Sequence, residues 1–394
     1  MSDDMMSEGT MNEVTARGHL RGGDDVLLSV EDLVVEFPVA RDMTVKAVSG
    51  VSFDLIEGET LGLVGESGCG KSTTAKALVQ LPKPTSGTID YGGTDLASLD
   101  ESDLRALRSD IQMIFQDPIA ALNPRRTVRK IVSEGLIVAT ARSSPLGWVI
   151  AALALVVAVI GAIVGWAPAV VAGLLGLFFG LFWTTRGIVN PEIGTFSDSR
   201  VDEILQAVGL DPDEAARRRP HEYSGGQCQR VAVARALVLD PKILICDEPV
   251  SALDVSVQAQ ILNMLEDMKE RYGLTLLFIS HDLSVIRNVS DRIAVMYLGK
   301  IVEIGDGDLL FADPAHHYTR VLLAALPDPT NPHRDAGQAL SGELPSPIDP
   351  PSGCRFRTRC PRAEDICAEL EPVLEQVADG DHWVACHFPV LTPH

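Results

Sequence analysis

The nonapeptide Gly65-Glu66-Ser67-Gly68-Cys69-Gly70-Lys71-Ser72-Thr73 constrains the fold of this chain more than any other stretch. It follows an apolar run at 60–64 and precedes residues 74–79, which read as helix. Strand, glycine-rich loop and helix is the setting in which G-x-x-x-x-G-K-[ST] becomes a phosphate-binding loop. Glycines let successive backbone N–H groups turn onto an anion, and the helix N-terminus adds partial positive charge. In that arrangement Lys71 reaches the β and γ phosphates of a nucleotide, and the Ser72 hydroxyl can hold Mg²⁺.

Two upstream segments, 26–37 and 45–55, read as strands of an antiparallel layer, with Phe37 placed where an aromatic ring could stack on a base. The same Phe37 reads equally well as a core residue. Downstream, residues 88–91 with Gly92-Gly93 predict a short hairpin, and 102–108 a helix. Residues 111–115 read as a buried strand with Gln116 at its C-terminal end, the edge of a parallel sheet where ligands bind. Ile243-Leu244-Ile245-Cys246 is a second buried strand, ending in Asp247-Glu248. Asp247 suits Mg²⁺, and Glu248 suits orienting and deprotonating a water. A third apolar strand ends at His281, which can hydrogen-bond a γ-phosphate. Between the first two, Ser224, Gly225, Gly226 and Gln227 open a predicted helix and form a second anion-binding N-terminus, a weak signal alone because Ser-Gly-Gly also caps ordinary helices.

The 394 residues carry 54 acidic and 33 basic side chains, net −21. Such a balance argues against broad nucleic-acid binding through phosphate contacts. Residues 1–25 are polar and acidic, without the apolar core of a secretory signal, and read as a disordered tail. Residues 146–184 differ from everything around them. No charged residue lies between Arg142 and Arg186, and the run is interrupted once, at Gly165-Trp166-Ala167-Pro168. Each half has roughly 15–20 residues, about 25–30 Å as helix, close to one hydrocarbon thickness. Trp148 and Trp183 fall at the outer ends and Trp166 at the turn, the pattern of a hairpin with aromatic belts. A membrane hairpin at 146–184 is the expectation; a buried helical hairpin is the alternative.

After residue 326 the composition turns to proline, aspartate and glycine, which predicts a linker and a loop-rich extension over 326–394. It carries Cys354, Cys360, Cys367 and Cys386. Without an export signal these suit metal ligation better than disulfides, as a [4Fe–4S] cluster or zinc site, although the C-x-x-C of a zinc ribbon is missing.

Taken jointly and in order, the phosphate loop, Gln116, Tyr223-Ser224-Gly225-Gly226-Gln227, Asp247-Glu248, Ser251-Ala252-Leu253-Asp254 and His281 resemble the ATP-binding subunits of ABC transporters over about residues 28–325. Phe115-Gln116-Asp117-Pro118, Leu122-Asn123-Pro124 and Gly353-Cys354-Arg355-Phe356 look like the oligopeptide/dipeptide importer subfamily, its second ATPase most of all. That resemblance implies a P-loop NTPase fold: a RecA-like core and antiparallel β subdomain over 26–325, and an inserted helical subdomain at about 117–226 that here carries the apolar hairpin. It implies a dimer with a second, homologous ATPase, each ATP lying between one phosphate loop and the partner's Ser-Gly-Gly. Ser224, Gly225 and Gly226 would then act on the partner's nucleotide, Glu248 and His281 on this chain's own. Gln116 would touch Mg²⁺ and the attacking water, and Phe37 would stack on adenine. The cysteines are similar to those ligating a [4Fe–4S] cluster in the family. Two transmembrane permease subunits and an extracellular substrate-binding protein are the implied partners, with this chain at the cytoplasmic face of the cell membrane. The implied activity is ATP hydrolysis driving peptide uptake. Import of nickel or another small solute, and a soluble ABC ATPase, are the competing readings. Two departures stand out: Tyr223 opens a signature that many members begin with Leu, and the apolar run replaces a charged helical stretch.

Overall fold

This computed structural model describes residues 18–23, 25–40, 43–140, 153–157, 159–160, 175, 191–326, 342–377 and 380–391. The chain divides into two compact units: Met1–Ala121 together with Asp240–His394, and Leu122–Leu239.

The strands among the described residues all belong to the first unit. In chain order they are β1 (Val26–Ala40), β2 (Met43–Ile56), β3 (Thr60–Val64), β4 (Ser86–Tyr91), β5 (Thr94–Asp95), β6 (Ile111–Ile114), β7 (Ile243–Asp247), β8 (Thr275–Ser280), β9 (Arg292–Tyr297), β10 (Lys300–Asp306), β11 (Glu375–Gln376) and β12 (His382–Val384). Four of them form an antiparallel sheet in the order β2-β1-β4-β5. Along β1 the buried side chains fall at Leu28 and Val30, then at Leu33 and Val35. The extra step between the pairs is a bulge, with Asp32 at φ +48 and its amide donating to Ser52 Oγ at 2.9 Å. The other eight strands form a mixed sheet in the order β11-β12-β10-β9-β3-β8-β7-β6. From β9 to β6 every pair is parallel. All residues of β3, β7, β8 and β9 are buried, as expected of parallel strands covered on both faces.

Helix α1 (Lys71–Leu78) follows β3, and α2 (Glu101–Leu107) is capped by the Asp100 carboxylate. The second unit contains α3 (Val128–Thr140), α4 (Pro191–Ala207), α5 (Pro212–Arg217) and α6 (Gly225–Leu237). Val128, Ile131, Val132, Val201, Ile204 and Val231 are among its fully buried residues. The helical unit expected at 117–226 extends to Leu239, because α6 starts at Gly225 and packs along α3 and α4. Back in the first unit come α7 (Val255–Tyr272), α8 (Leu283–Val289) and α9 (His317–Ala324).

Nearly all of the hairpin placed at 146–184 lies outside the described residues, and among the described residues no helix is long and apolar enough to cross a membrane. Residues 18–23, assigned by composition to a disordered tail, are packed. His19 is buried and donates from Nε2 to the Ser52 carbonyl at 3.1 Å, and Arg21 grips Glu59 at 2.6 and 2.9 Å and Asp54 at 2.7 Å. The cause is Asp54, a fully buried carboxylate that needs cations and takes Arg292 as well, at 3.3 Å. Finally, the extension after 325 is no separate appendage. Its β12 pairs with β10, so the tail supplies the outer strands of the core sheet. The open edge of β10 gains hydrogen-bond partners, and Glu303, fully buried in β10, accepts from His382 Nε2 at 2.7 Å.

Candidate functional site

A parallel sheet lines up the carboxyl ends of its strands. Here the order β3-β8-β7-β6 sets four loops side by side: the phosphate loop after β3, His281 after β8, Glu248 after β7 and Gln116 after β6.

The phosphate loop admits little but glycine at two points. A Cβ on Gly65 would sit 2.1 Å from the Met296 carbonyl oxygen. Gly70, at φ +111, would place one 2.3 Å from the Ala47 oxygen. Such contacts, with Gly68 at φ +81, are what an inward-turned backbone demands. Lys71 is buried, and its Nζ donates to the Gly65 oxygen at 2.7 Å and the Glu66 oxygen at 3.0 Å. The ammonium is thereby held inside the curve of the loop. Ser67 and Gly68 form the exposed crest, while Cys69 is buried with its thiol pushed up by burial, an effect partly offset by Lys71. Ser72 and Thr73 occupy the first turn of α1.

Ser72 Oγ donates to Asp247 Oδ1 at 2.8 Å. Burial raises the Asp247 carboxyl above the usual range, opposed first by the Ser72 hydrogen bond and then by Lys76. A hydroxyl and a carboxylate at that separation are hard oxygen donors of the kind Mg²⁺ prefers, so the residues present fit the ion. Beside them Glu248 has φ +48, a left-handed conformation that costs a side chain of this kind on the order of 1–2 kcal/mol. Its Oε2 accepts from Gln116 Nε2 at 2.9 Å, and its Oε1 lies 3.1 Å from His281 Nδ1. Three residues separated widely in sequence therefore meet at one carboxylate. Phe37 is about one-third exposed on β1, paired with Val45 of β2. Glu66, by contrast, is held by protein: its amide donates to Tyr318 Oη at 2.8 Å, and its carboxylate is forked by Arg359 at 2.6 and 3.0 Å. Neither Tyr318 nor Arg359 was visible in the sequence patterns, because each acts on the loop across more than 250 positions.

In the helical unit, Ser224 is the N-cap of α6. Its hydroxyl accepts from the Gln227 amide at 3.3 Å, and Gln227 Oε1 accepts from the Ser224 amide at 2.9 Å. This reciprocal cap accounts for Gln227 and leaves Gly225 and Gly226 as the bare first turn of a helix. Tyr223 lies beneath the Arg218 guanidinium, 5.6 Å from the ring centre.

The four tail cysteines are free thiols. Burial pushes Cys354 and Cys360 up and takes Cys386 to about 11, with the other three thiols adding to the rise at Cys386. They are neighbours, yet among the described residues no group of three or more His, Cys, Asp or Glu side chains is close enough to hold a metal ion. The expected iron–sulfur or zinc site is thus not formed by this arrangement. Cys360 Sγ instead accepts from the Arg362 amide at 3.4 Å, and Cys354 N is bonded to the Cys367 carbonyl at 2.8 Å.

The strand order, the phosphate loop and the Ser72–Asp247 and Gln116–Glu248–His281 contacts define a P-loop ATPase of the cassette class. The chain belongs to the ABC transporter family, whose description matches residues 48–251, and the oligopeptide/dipeptide transporter C-terminal region matches 302–367. It is 44% identical to the oligopeptide transport ATP-binding protein OppF of Escherichia coli over 95% of this chain and 98% of that protein. It is 43% identical to the oligopeptide transport ATP-binding protein AppF of Bacillus subtilis over 92% of this chain and 97% of that one. Among solved structures, the dimeric ATP-binding cassette MJ0796, captured after hydrolysis with ADP and Pi, matches with TM-score 0.52 and 25% identity over 71% of this chain and 98% of that chain. The cassette cbiO1 of Clostridium perfringens shares the fold, with TM-score 0.55 over 79% of this chain and 98% of that chain.

Proposed function

We propose that this chain hydrolyses ATP to drive uptake of oligopeptides or dipeptides as the ATP-binding subunit of an ABC importer. The observation that carries the enzymatic part is the convergence of Gln116 and His281 on Glu248 beside the Ser72–Asp247 pair. The loop of residues 65–73 and Lys71 bind the phosphates, and Phe37 stacks on the base. Ser72, Asp247 and Gln116 hold Mg²⁺, which neutralises charge on the β and γ phosphates when bound. Glu248 takes a proton from the water that attacks the γ-phosphorus, as the bond to the β–γ bridging oxygen breaks. Gln116 orients that water, and His281 hydrogen-bonds a γ-phosphate oxygen. Ser224, Gly225 and Gly226 serve the nucleotide of a second, homologous ATPase subunit, as the likeness to ATP-binding cassettes implies.

Peptide cargo, rather than nickel or another small solute, is supported by the match to the oligopeptide/dipeptide C-terminal region and by relatives named for oligopeptide transport. This chain sits at the cytoplasmic face of the membrane, where two transmembrane permease subunits and an extracellular substrate-binding protein complete the machine; nucleic acid is no partner. Residues 146–184 anchor the subunit in lipid, and extraction of the isolated chain by carbonate would count against that anchor. The four tail thiols take a [4Fe–4S] cluster only by closing around it, which iron and sulfide analysis of the purified protein decides. The test of function is reconstitution with the cognate membrane subunits in vesicles. ATP turnover stimulated by peptide and substrate-binding protein, with labelled peptide accumulating, is expected. Turnover indifferent to peptide but responsive to Ni²⁺ would overturn the cargo assignment.

A further inference from the structure

The C-terminal extension does more than complete the sheet. It reaches the phosphate loop at several points. Arg359, which follows Cys354 in the cysteine-rich segment, forks the Glu66 carboxylate with both terminal nitrogens, 2.6 and 3.0 Å away, and its side chain is only 5% exposed. Bidentate pairing of this kind fixes direction as well as distance. Tyr318, in α9 just before the extension, accepts from the Glu66 amide with its Oη at 2.8 Å. Tyr318 is in turn met edge-on by Tyr297, 4.8 Å between ring centres, and at a tilt by Phe356 at 5.4 Å. Phe356 belongs to the same segment as Arg359 and is fully buried. At the crest of the loop, a Cβ on Gly68 would meet Leu344 Cδ2 at 4.0 Å. Leu344 lies three residues before Pro347, whose carbonyl accepts from Lys46 N at 2.9 Å.

Glu66 is thus gripped through both its side chain and its amide. Its carbonyl is one of the two oxygens that hold Lys71 Nζ, at 3.0 Å. The connection runs from Arg359 to the Glu66 carboxylate, through one peptide unit, to the lysine that meets the phosphates. Resting on the assignment of this loop as the ATP site, we propose that Arg359 and Tyr318 are positioning residues for Lys71 and the phosphate loop, so that the C-terminal extension, directly through Arg359 and through Phe356 packed on Tyr318, sets nucleotide affinity. The pair does not touch nucleotide. It removes conformations of residues 65–68 in which the ammonium and the loop amides point apart, and so lowers the ordering cost of binding.

Were the ion pair only an anchor for the tail, breaking it would lower stability and leave affinity alone. The two roles separate in a titration of the full chain with fluorescent mant-ATP and Mg²⁺, alongside steady-state ATPase and a thermal melt without nucleotide. Arg359→Ala is expected to weaken mant-ATP binding about tenfold, the scale of one lost charge-assisted hydrogen-bonded pair. It raises KM in proportion, with kcat within about twofold, because the carboxylate row after β7 is untouched. Arg359→Lys, which keeps the charge but not the fork, falls between the two. Tyr318→Phe deletes only the hydroxyl acceptor and is expected to weaken binding about threefold; it carries the test if Arg359→Ala does not fold. Unchanged affinity in Arg359→Ala, or in Tyr318→Phe where that variant stands in, overturns the proposal. So does a drop in kcat at constant KM. A wild-type chain that binds no ATP would instead sink the ATPase reading itself, and the two failures are told apart by the wild-type titration.

Discussion

Glu248→Gln isolates the chemistry from the architecture. The wild-type carboxylate accepts from Gln116 Nε2 at 2.9 Å with one oxygen and faces His281 Nδ1 at 3.1 Å with the other. A glutamine of the same shape can keep both contacts: its oxygen accepts from Gln116, and its amide nitrogen donates to His281 Nδ1 in the tautomer that carries its proton on Nε2. The φ of +48 at residue 248 suits Gln no worse than Glu, so the backbone has no reason to move. The expected cost in folding is therefore below about 1 kcal/mol. What disappears is the proton acceptor. General-base assistance contributes roughly 10²- to 10⁴-fold, or about 3–5 kcal/mol of barrier. Single-turnover release of phosphate from the reconstituted transporter measures that loss, and mant-ATP titration of the same sample measures binding. Affinity within about threefold of wild type with turnover down at least about a hundredfold is the expected pair of results. Turnover within threefold would remove Glu248 from the base role. A comparable loss in affinity would place it in binding.

Glycine at residue 70 is tested by Gly70→Ala, whose Cβ meets the Ala47 oxygen at 2.3 Å and Met296 Cε at 2.8 Å; ATP affinity falls more than about tenfold. The control Gly92→Ala, at φ +57 with nothing within 4 Å, retains affinity, and equal behaviour of the two variants would refute the steric argument. His316 concerns pH. It is buried, its Nδ1 accepts from Tyr318 N at 3.0 Å, and burial holds its pKa at about 3, with neighbouring His317 adding to the depression. Its own amide donates to Glu303 at 3.0 Å. The folded pKa lies below the unfolded value near 6.5, so the unfolded chain alone takes up a proton as pH falls between the two. The contribution is complete above 6.5 and is lost towards 3, about 2 kcal/mol by pH 5. His316→Asn, which keeps a capping acceptor, should narrow its stability gap from wild type by that amount between pH 7 and 5 in urea titrations; parallel curves would contradict it. Glu303→Ala strands the Ala315 and His316 amides and His382, and should cost about 3–5 kcal/mol in the same assay. A cost under about 1 kcal/mol would show that β12 is not held through this carboxylate.

Much of this arrangement was legible because local chemistry and parallel-sheet geometry agree. An apolar run of strand length ending in Asp247-Glu248 can only be a buried strand with its carboxylates at the sheet's edge, and that is where both stand. The same logic placed Gln116 and His281. What escaped was nonlocal or short. Strand β12 has three residues, too few for a period of two to register, and its partner is chosen by the unpaired edge of β10. The packed segment at 18–23 looks like tail by composition. Its order comes from Asp54, a buried charge that no window around Arg21 contains. The sequence pattern ends the helical unit at the glycine signature. Glycines there open a helix rather than close a domain, so the boundary falls after α6. The cysteines are a different case: their count and crowding suggest a metal, and among the described residues they stand as free thiols in no arrangement close enough to hold one.

The pairing of β12 with β10 also bears on how the chain is made. About 75 residues separate the two strands, and at roughly 5–20 residues per second they emerge from the ribosome several seconds apart. During that interval β3, β9 and β10 are already available to one another, while the outer edge of β10 presents unpaired amides and carbonyls. Until the tail arrives, Glu303 and Arg292 also lack His382 and Asp381. The nascent protein therefore passes through a stage in which its nucleotide-binding half is assembled but sticky along one side. An open β10 edge of this kind is a template for pairing with other chains until β12 covers it.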